Sequence, residues 1–222
     1  MDNKAYKAKR LQAFEGVQLT ENTYNLVIGV VLLWGILINI IMASTMMDLI
    51  LSLNPIAVIV VYLVGSIGCA MVIYKSANPA VSFLGFTGLA IAMGLILTYI
   101  VSVYAKSDIA AAFRVTAIVT AIMIVLSTWK PQFFLSIGRG LLIALVASVI
   151  VDLVGVLVFK QPMVLMDYVI ALVFCGFIGF DWAKAQIYPK TLDNAIDSAA
   201  DIYVDVVNLF IRILSIMGNK RD

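Results

Sequence analysis

From Tyr24 to Met47 the chain carries no charged side chain, and apolar runs of similar length recur almost to its C-terminus. A helix needs about 20 largely apolar residues to cross the hydrocarbon core of a bilayer. Within that core each backbone N–H and C=O must be satisfied inside the segment, which such runs achieve as helices. Composition agrees, with 63% of the 222 residues hydrophobic and 13% charged, against about 25% charged in ordinary soluble domains. Seven spans would occupy roughly 140 residues. The expectation is an all-α polytopic membrane protein of about seven transmembrane helices. It has an N-terminal tail over residues 1–23, a transmembrane domain over 24–217 and a short tail over 218–222.

Local signals divide the runs. The first ends at Met47 and is closed by Asp48. Asn54-Pro55 opens the second, which ends at Lys75, and Asn78-Pro79 opens the third, through Tyr104; proline suits a first helical turn, where its missing N–H has no intrahelical partner to lose. Gly85, Gly88 and Gly94 in that third helix let neighbouring backbones approach. The fourth follows Lys106-Ser107-Asp108, contains Arg114 and ends at Trp129, before Lys130-Pro131. Gly138-Arg139-Gly140 leads into a fifth that holds Asp152 and ends at Phe159. The sixth runs from Met163 to Phe180 and meets Asp181, and after Pro189 a final helix, capped by Thr191 or Asp193, continues to Met217. Cys69 and Cys175 lie in apolar runs without CxxC spacing and read as small core residues.

The final segment is unlike the rest. Asp193, Asp197, Asp201 and Asp205 recur every four residues and so form a slowly drifting acidic stripe. Ile202, Val206, Leu209, Ile213 and Ile216 make the opposite face aliphatic. A carboxylate at membrane depth costs several kcal/mol unless it faces protein or water, so this helix is expected at the centre of the bundle. Asp193 and Asp197 read as a solvated first turn favoured by the helix dipole, and Asp205, further in, reads as functional.

Alternate loops place Lys4, Lys7, Lys9, Arg10, Lys75, Lys130, Arg139, Lys184 and Lys190 on one side, with Lys106, Lys160 and Arg114 opposite. The positive-inside rule then puts the N-terminus in the cytoplasm. A full seventh crossing, the expected one, leaves Lys220 and Arg221 outside, whereas a re-entrant last segment returns them. The short loops suit a bacterial inner membrane.

A net charge of +2 with no long basic run gives no nucleic-acid footprint. The chain has no histidine, which removes His-based triads, HExxH zinc sites and imidazole switches. Proton chemistry therefore falls to carboxylates. If the last turn centres near Thr191, antiparallel geometry sets Asp181 level with about Asp201 and roughly one turn, ~5 Å, short of Asp205; either can meet it. Two desolvated carboxylates in contact share a proton, and when both ionise, their repulsion and their oxygens favour a divalent cation or a hydrated, open arrangement. Asn208 and Arg212 lie one and two turns beyond Asp205 and either line the same polar path or, for Arg212, supply a counter-ion or snorkel to the interface. Asp152 and Arg114 are expected to pair structurally.

The run Ile202-Tyr203-Val204-Asp205-Val206-Val207-Asn208-Leu209-Phe210 resembles the YLDIINLF-type segment of the Bax inhibitor-1 family. Asn78-Pro79, Ala112-Phe113, Thr116-Ala117 and the placement of Asp181 support the resemblance. It implies a seven-helix fold with a central last helix, a pH-dependent calcium leak, and an aspartate pair as proton sensor and calcium site, at Asp181 and Asp205 by matching position. Two departures stand out: Asp181 is followed by Trp182-Ala183 rather than Thr-Gln, and the second span has no basic residue before Lys75 to act as a latch arginine.

The leading expectation is a cation leak, with calcium as the ion, gated by protonation of Asp181 and Asp205. Its partners are the lipid bilayer, calcium ions and protons, with no enzymatic activity and no required cofactor. The alternative is a non-transporting scaffold that regulates other membrane proteins or their proteolysis. An intramembrane aspartyl protease fits poorly, because its Tyr-Asp and Gly-x-Gly-Asp motifs are absent in form and order.

Overall fold

A computed structural model describes Arg10, residues 17–159 and residues 164–218. The described residues form α1 (Glu21–Thr45), α2 (Met47–Ser52), α3 (Pro55–Lys75), α4 (Pro79–Ser102), α5 (Lys106–Trp129), α6 (Pro131–Phe159), α7 (Val164–Ile187) and α8 (Leu192–Met217), with no strand among them. Six of these, α1 and α3 to α7, are long and apolar enough to cross a membrane. The last, α8, is as long but carries the four aspartates and Arg212, so its length suits a crossing and its charge does not.

The helix starts follow from local chemistry. Thr20 caps α1 by accepting from the Thr23 amide. Asn54 accepts from the amides of Ile56 and Ala57 at the head of α3, and Asn78 from that of Ala80 at the head of α4, each with proline in the first turn. Each cap satisfies amides that have no intrahelical acceptor. Thr191 caps α8 by accepting from the Asn194 amide at 3.2 Å.

Three boundaries differ from the expectation. The first span stops at Thr45, and a separate short helix carries Asp48. Ser44 and Thr45 turn their hydroxyls back onto the Ile41 carbonyl, and Met46 leaves helical geometry at φ −113°; such back-bonding weakens a helix end. The fifth span starts at Pro131, so Gly138-Arg139-Gly140 lies inside α6 rather than before it. A Cβ on Gly138 would collide with the Phe180 ring, so that glycine makes room for a neighbouring helix instead of ending one. Asp181, expected at the end of the sixth helix, lies within α7, which continues to Ile187.

The chain packs as two compact units, residues 1–103 with 187–203 and residues 104–186 with 204–222. In the first, α4 packs against α3 and α1. As expected, small residues set that contact: a Cβ on Gly88 would lie 2.7 Å from Cys69 Sγ, and one on Gly85 would lie 3.0 Å from Ile73. Phe86 of α4 meets Tyr203 of α8 edge-on, with ring centroids 5.3 Å apart. The Tyr203 hydroxyl donates to Asn39 Oδ1 at 2.9 Å, and the same Asn39 donates to the Ala90 carbonyl. In the second unit the Ser127 hydroxyl donates to the Gly179 carbonyl, and the Trp182 indole donates to Thr128 at 2.9 Å, tying α5 to α7. Helix α8 gives residues to both units and is buried along most of its length, whereas α3 and α6 are largely exposed. Exposed leucine, isoleucine and valine on the outer helices are what lipid contact requires.

Candidate functional site

Every carboxylate of the last helix is buried or nearly so. In the first unit Asp193 and Asp197 are 6% and 0% exposed, with Asn194, Ser198 and Tyr203 buried beside them. This corrects the reading of Asp193 and Asp197 as a solvated first turn. The reason is that partners arrive from elsewhere in the chain. The Ser82 hydroxyl of α4 donates to Asp193 at 2.6 Å, and the Tyr74 hydroxyl of α3 donates to Asp201 at 3.0 Å. The guanidinium of Arg10, 1% exposed, lies 3.2 Å from Asp201 and 3.9 Å from Asp197. A cation and neutral donors make the burial of acids tolerable where apolar walls alone would not.

In the second unit Asp205 is 6% exposed, and Asp181, on α7, is half-buried and accepts from Lys184 Nζ at 3.0 Å. Asp181 and Asp205 therefore fall within one compact unit, while Asp201 belongs to the other. Asn208 turns its amide onto the Val204 carbonyl of its own helix at 2.7 Å. Arg212 acts as a counter-ion, to Asp167 at 2.6 Å and Asp152 at 3.6 Å, and Ser215 donates to the second Asp167 oxygen. Asp152 and Arg114 do not pair: Arg114 is exposed on α5 and donates to the Ala110 carbonyl. Asp152 sits on a face that α8 supplies with Arg212, and a guanidinium is drawn to two acids before one.

Two functional-looking residues escaped the sequence. Asp167 lies among apolar residues, and its only signal was that Arg212 and Ser215, three apart, share one face of α8. Arg10 looked like one of several basic residues in a tail. Among the described residues no group of three or more His, Cys, Asp or Glu is arranged to hold a metal.

Six long apolar helices, together with a last helix whose aspartates are buried or nearly so, define an integral membrane protein. Residues 17–222 match the family described as "Inhibitor of apoptosis-promoting Bax1", and the chain belongs to this Bax inhibitor-1 family. It is 28% identical over 138 residues to the inner membrane protein YbhL of Escherichia coli K12, covering 58% of this chain and 59% of that protein. It is 32% identical over 125 residues to an uncharacterized protein of Helicobacter pylori strain 26695, covering 54% and 53%. It is 25% identical over 137 residues to the uncharacterized protein RP147 of Rickettsia prowazekii, covering 58% of each. The matched region thus spans a little over half the length of these relatives.

Proposed function

We propose that this protein is a pH-sensitive cation leak of a bacterial inner membrane, with calcium as the ion, gated by protonation of Asp181 and Asp205. The observation that carries the reading is the burial of Asp205 on α8, in the same compact unit as Asp181 on α7. A carboxylate withdrawn from water is retained at a cost, and inside a membrane protein such groups mark ion and proton pathways by default. Family membership points the same way.

With one proton held between them, the two carboxylates carry a single negative charge and the closed arrangement is favoured. Loss of that proton leaves two like charges in a poorly hydrated interior, and their repulsion favours separation, entry of water and oxygen coordination of a divalent cation. The Lys184 ammonium beside Asp181 offsets part of that charge. Arg212 remains with Asp167 and Asp152 and is a structural cation in this scheme. The N-terminus lies in the cytoplasm, by the basic residues of the alternate loops.

The test is calcium flux into liposomes carrying Asp181→Asn or Asp205→Asn protein. Asparagine keeps the shape and removes the titration, so each variant is expected to lose the pH dependence of flux. Unchanged pH dependence in both would overturn the assignment, and absence of flux from wild type and variants alike would move the protein to a regulatory scaffold.

A further inference from the structure

Between Asp48 and Lys106 the chain carries a single charged side chain, Lys75. It is exposed in the last turn of α3, and among the described residues it makes no hydrogen bond or ion pair. The residues around it turn the other way: the Tyr74 hydroxyl reaches Asp201, and the Ser82 hydroxyl of α4 reaches Asp193. Both of those acids are therefore met from the inner side of the hairpin that α3 and α4 form, while Lys75 stands on its outer side.

Lys75 lies at one end of a groove of about 460 Å³ whose other lining residues are Gly68, Met71, Val72, Ser76 and Val81. Positions 68, 71, 72 and 75 share one face of α3 by their i, i+3, i+4 and i+7 spacing and cover about two turns, ~10 Å along the axis. Val81 comes from the first turn of α4, and the Ser76 hydroxyl is engaged within the turn, where it accepts from the Asn78 amide at 3.0 Å. The walls are thus apolar and the charge sits at one end. Because α3 is long and apolar enough to cross a membrane, a lysine in its last turn reaches the level of the lipid headgroups. The glycines of the hairpin differ in the same sense. A Cβ on Gly85 or Gly88 of α4 would press on Ile73 or Cys69, whereas one on Gly68 would meet nothing within 4 Å. Packing between the two helices therefore accounts for Gly85 and Gly88 and leaves the space beside Gly68 open.

We propose that this groove binds one acidic phospholipid, with an acyl chain along Gly68, Met71, Val72 and Val81 and the phosphate at the Lys75 ammonium. An ammonium on a flexible stem binds phosphate as a point charge, and a basic residue at the membrane surface draws anionic headgroups. A second copy of the chain seated on this face in the same membrane orientation would bring another Lys75 to the same level, a like charge where complementarity calls for an acid. The inference rests on the membrane-spanning character of α3 and α4 and stands whether or not the protein conducts ions.

Native mass spectrometry of the purified full-length protein in detergent tests the site, with phosphatidylglycerol titrated against phosphatidylcholine of the same acyl chains. Wild type is expected to bind phosphatidylglycerol about fivefold more tightly, the effect of one basic residue near an anionic surface. Lys75→Gln removes that preference, whereas Lys106→Gln, at the head of α5, keeps it. Gly68→Leu retains Lys75 and fills the groove; its side chain enters open space and favours helix over glycine, so the variant folds and is expected to bind both lipids more weakly. Equal affinity of wild type for the two lipids, or a preference that survives Lys75→Gln, would overturn the site. Binding unchanged in Gly68→Leu would show that the ammonium collects headgroups without a groove. A wild-type dimer that Gly68→Leu dissociates would give the face to a second copy, and displacement of phosphatidylglycerol by millimolar inorganic phosphate would give Lys75 to a small anion; either would overturn the lipid assignment.

Discussion

Asn39 and Tyr203 form one of the most economical contacts in the first unit: one buried amide receives the phenol and donates to a backbone carbonyl of α4. Tyr203→Phe keeps the ring packing against Phe86 but strands an acceptor, which costs about 1 to 3 kcal/mol. Thermal unfolding in detergent is expected to show that loss, whereas Tyr99→Phe, whose hydroxyl reaches the Leu53 carbonyl at an exposed site, should change little. Lys190 poses a charge question. It lies in the turn between α7 and α8, with its ammonium 4.6 Å from the centre of the Tyr24 ring. Burial lowers its pKa, only partly countered by Glu21. A lysine with a folded value below its unfolded one binds fewer protons when folded, so stability rises with pH up to its ordinary value near 10.5. Lys190→Met removes that dependence. Melting temperatures of wild type measured against the variant are therefore expected to climb as pH is raised towards that value, and a flat difference would contradict the assignment.

At the scale of elements, α1, α4 and α8 meet closely at Gly35, Phe86 and Tyr203. Gly35 of α1 faces Phe86 and Tyr203, and a Cβ there would lie 2.7 Å from one ring and 2.9 Å from the other. Gly35→Val should destabilise by about 1 to 3 kcal/mol through overpacking, read as a lowered melting temperature. Arg212→Gln leaves Asp167 with Ser215 as its remaining described donor from α8 and is expected to cost a similar amount, since hydrogen bonds to charged groups contribute about 1.5 to 3 kcal/mol. What could be read beforehand divides along the same line. Asn54-Pro55, Asn78-Pro79 and Thr191 announce helix starts, because a cap is satisfied by amides two or three residues away. The break at Met46 and the passage of α6 through Gly138 depend on backbone and ring contacts that no local pattern encodes. The stripe of aspartates was legible as a period of four, but its burial was not, because Arg10, Tyr74 and Ser82 lie more than a hundred residues away in sequence. For the same reason Arg212 revealed its charge and not its partners Asp167 and Asp152.

The molecule as a whole is a set of lipid-compatible helices that share one helix lipid could not accommodate. Six apolar helices were evident from hydropathy alone, since bilayer thickness fixes the length of a span. A seventh crossing is a different matter: α8 has the length, but its charged groups are paired with groups from elsewhere in the chain, Asp201 with Arg10 and Arg212 with Asp167. Along it Asp193 accepts from Ser82, Asp197 and Asp201 lie beside Arg10, Arg212 lies beside Asp167 and Asp152, and Asp205 falls between Asp201 and Arg212 in sequence. In the proposed function, Asp205 is the group through which protons act on this helix. The direct test is calcium flux into liposomes containing the purified wild-type protein at about pH 6 and about pH 8. The account predicts flux that rises with pH by about tenfold and a flat, pH-independent flux for Asp205→Asn. Wild-type flux that stays constant, or that falls as pH rises, would contradict it.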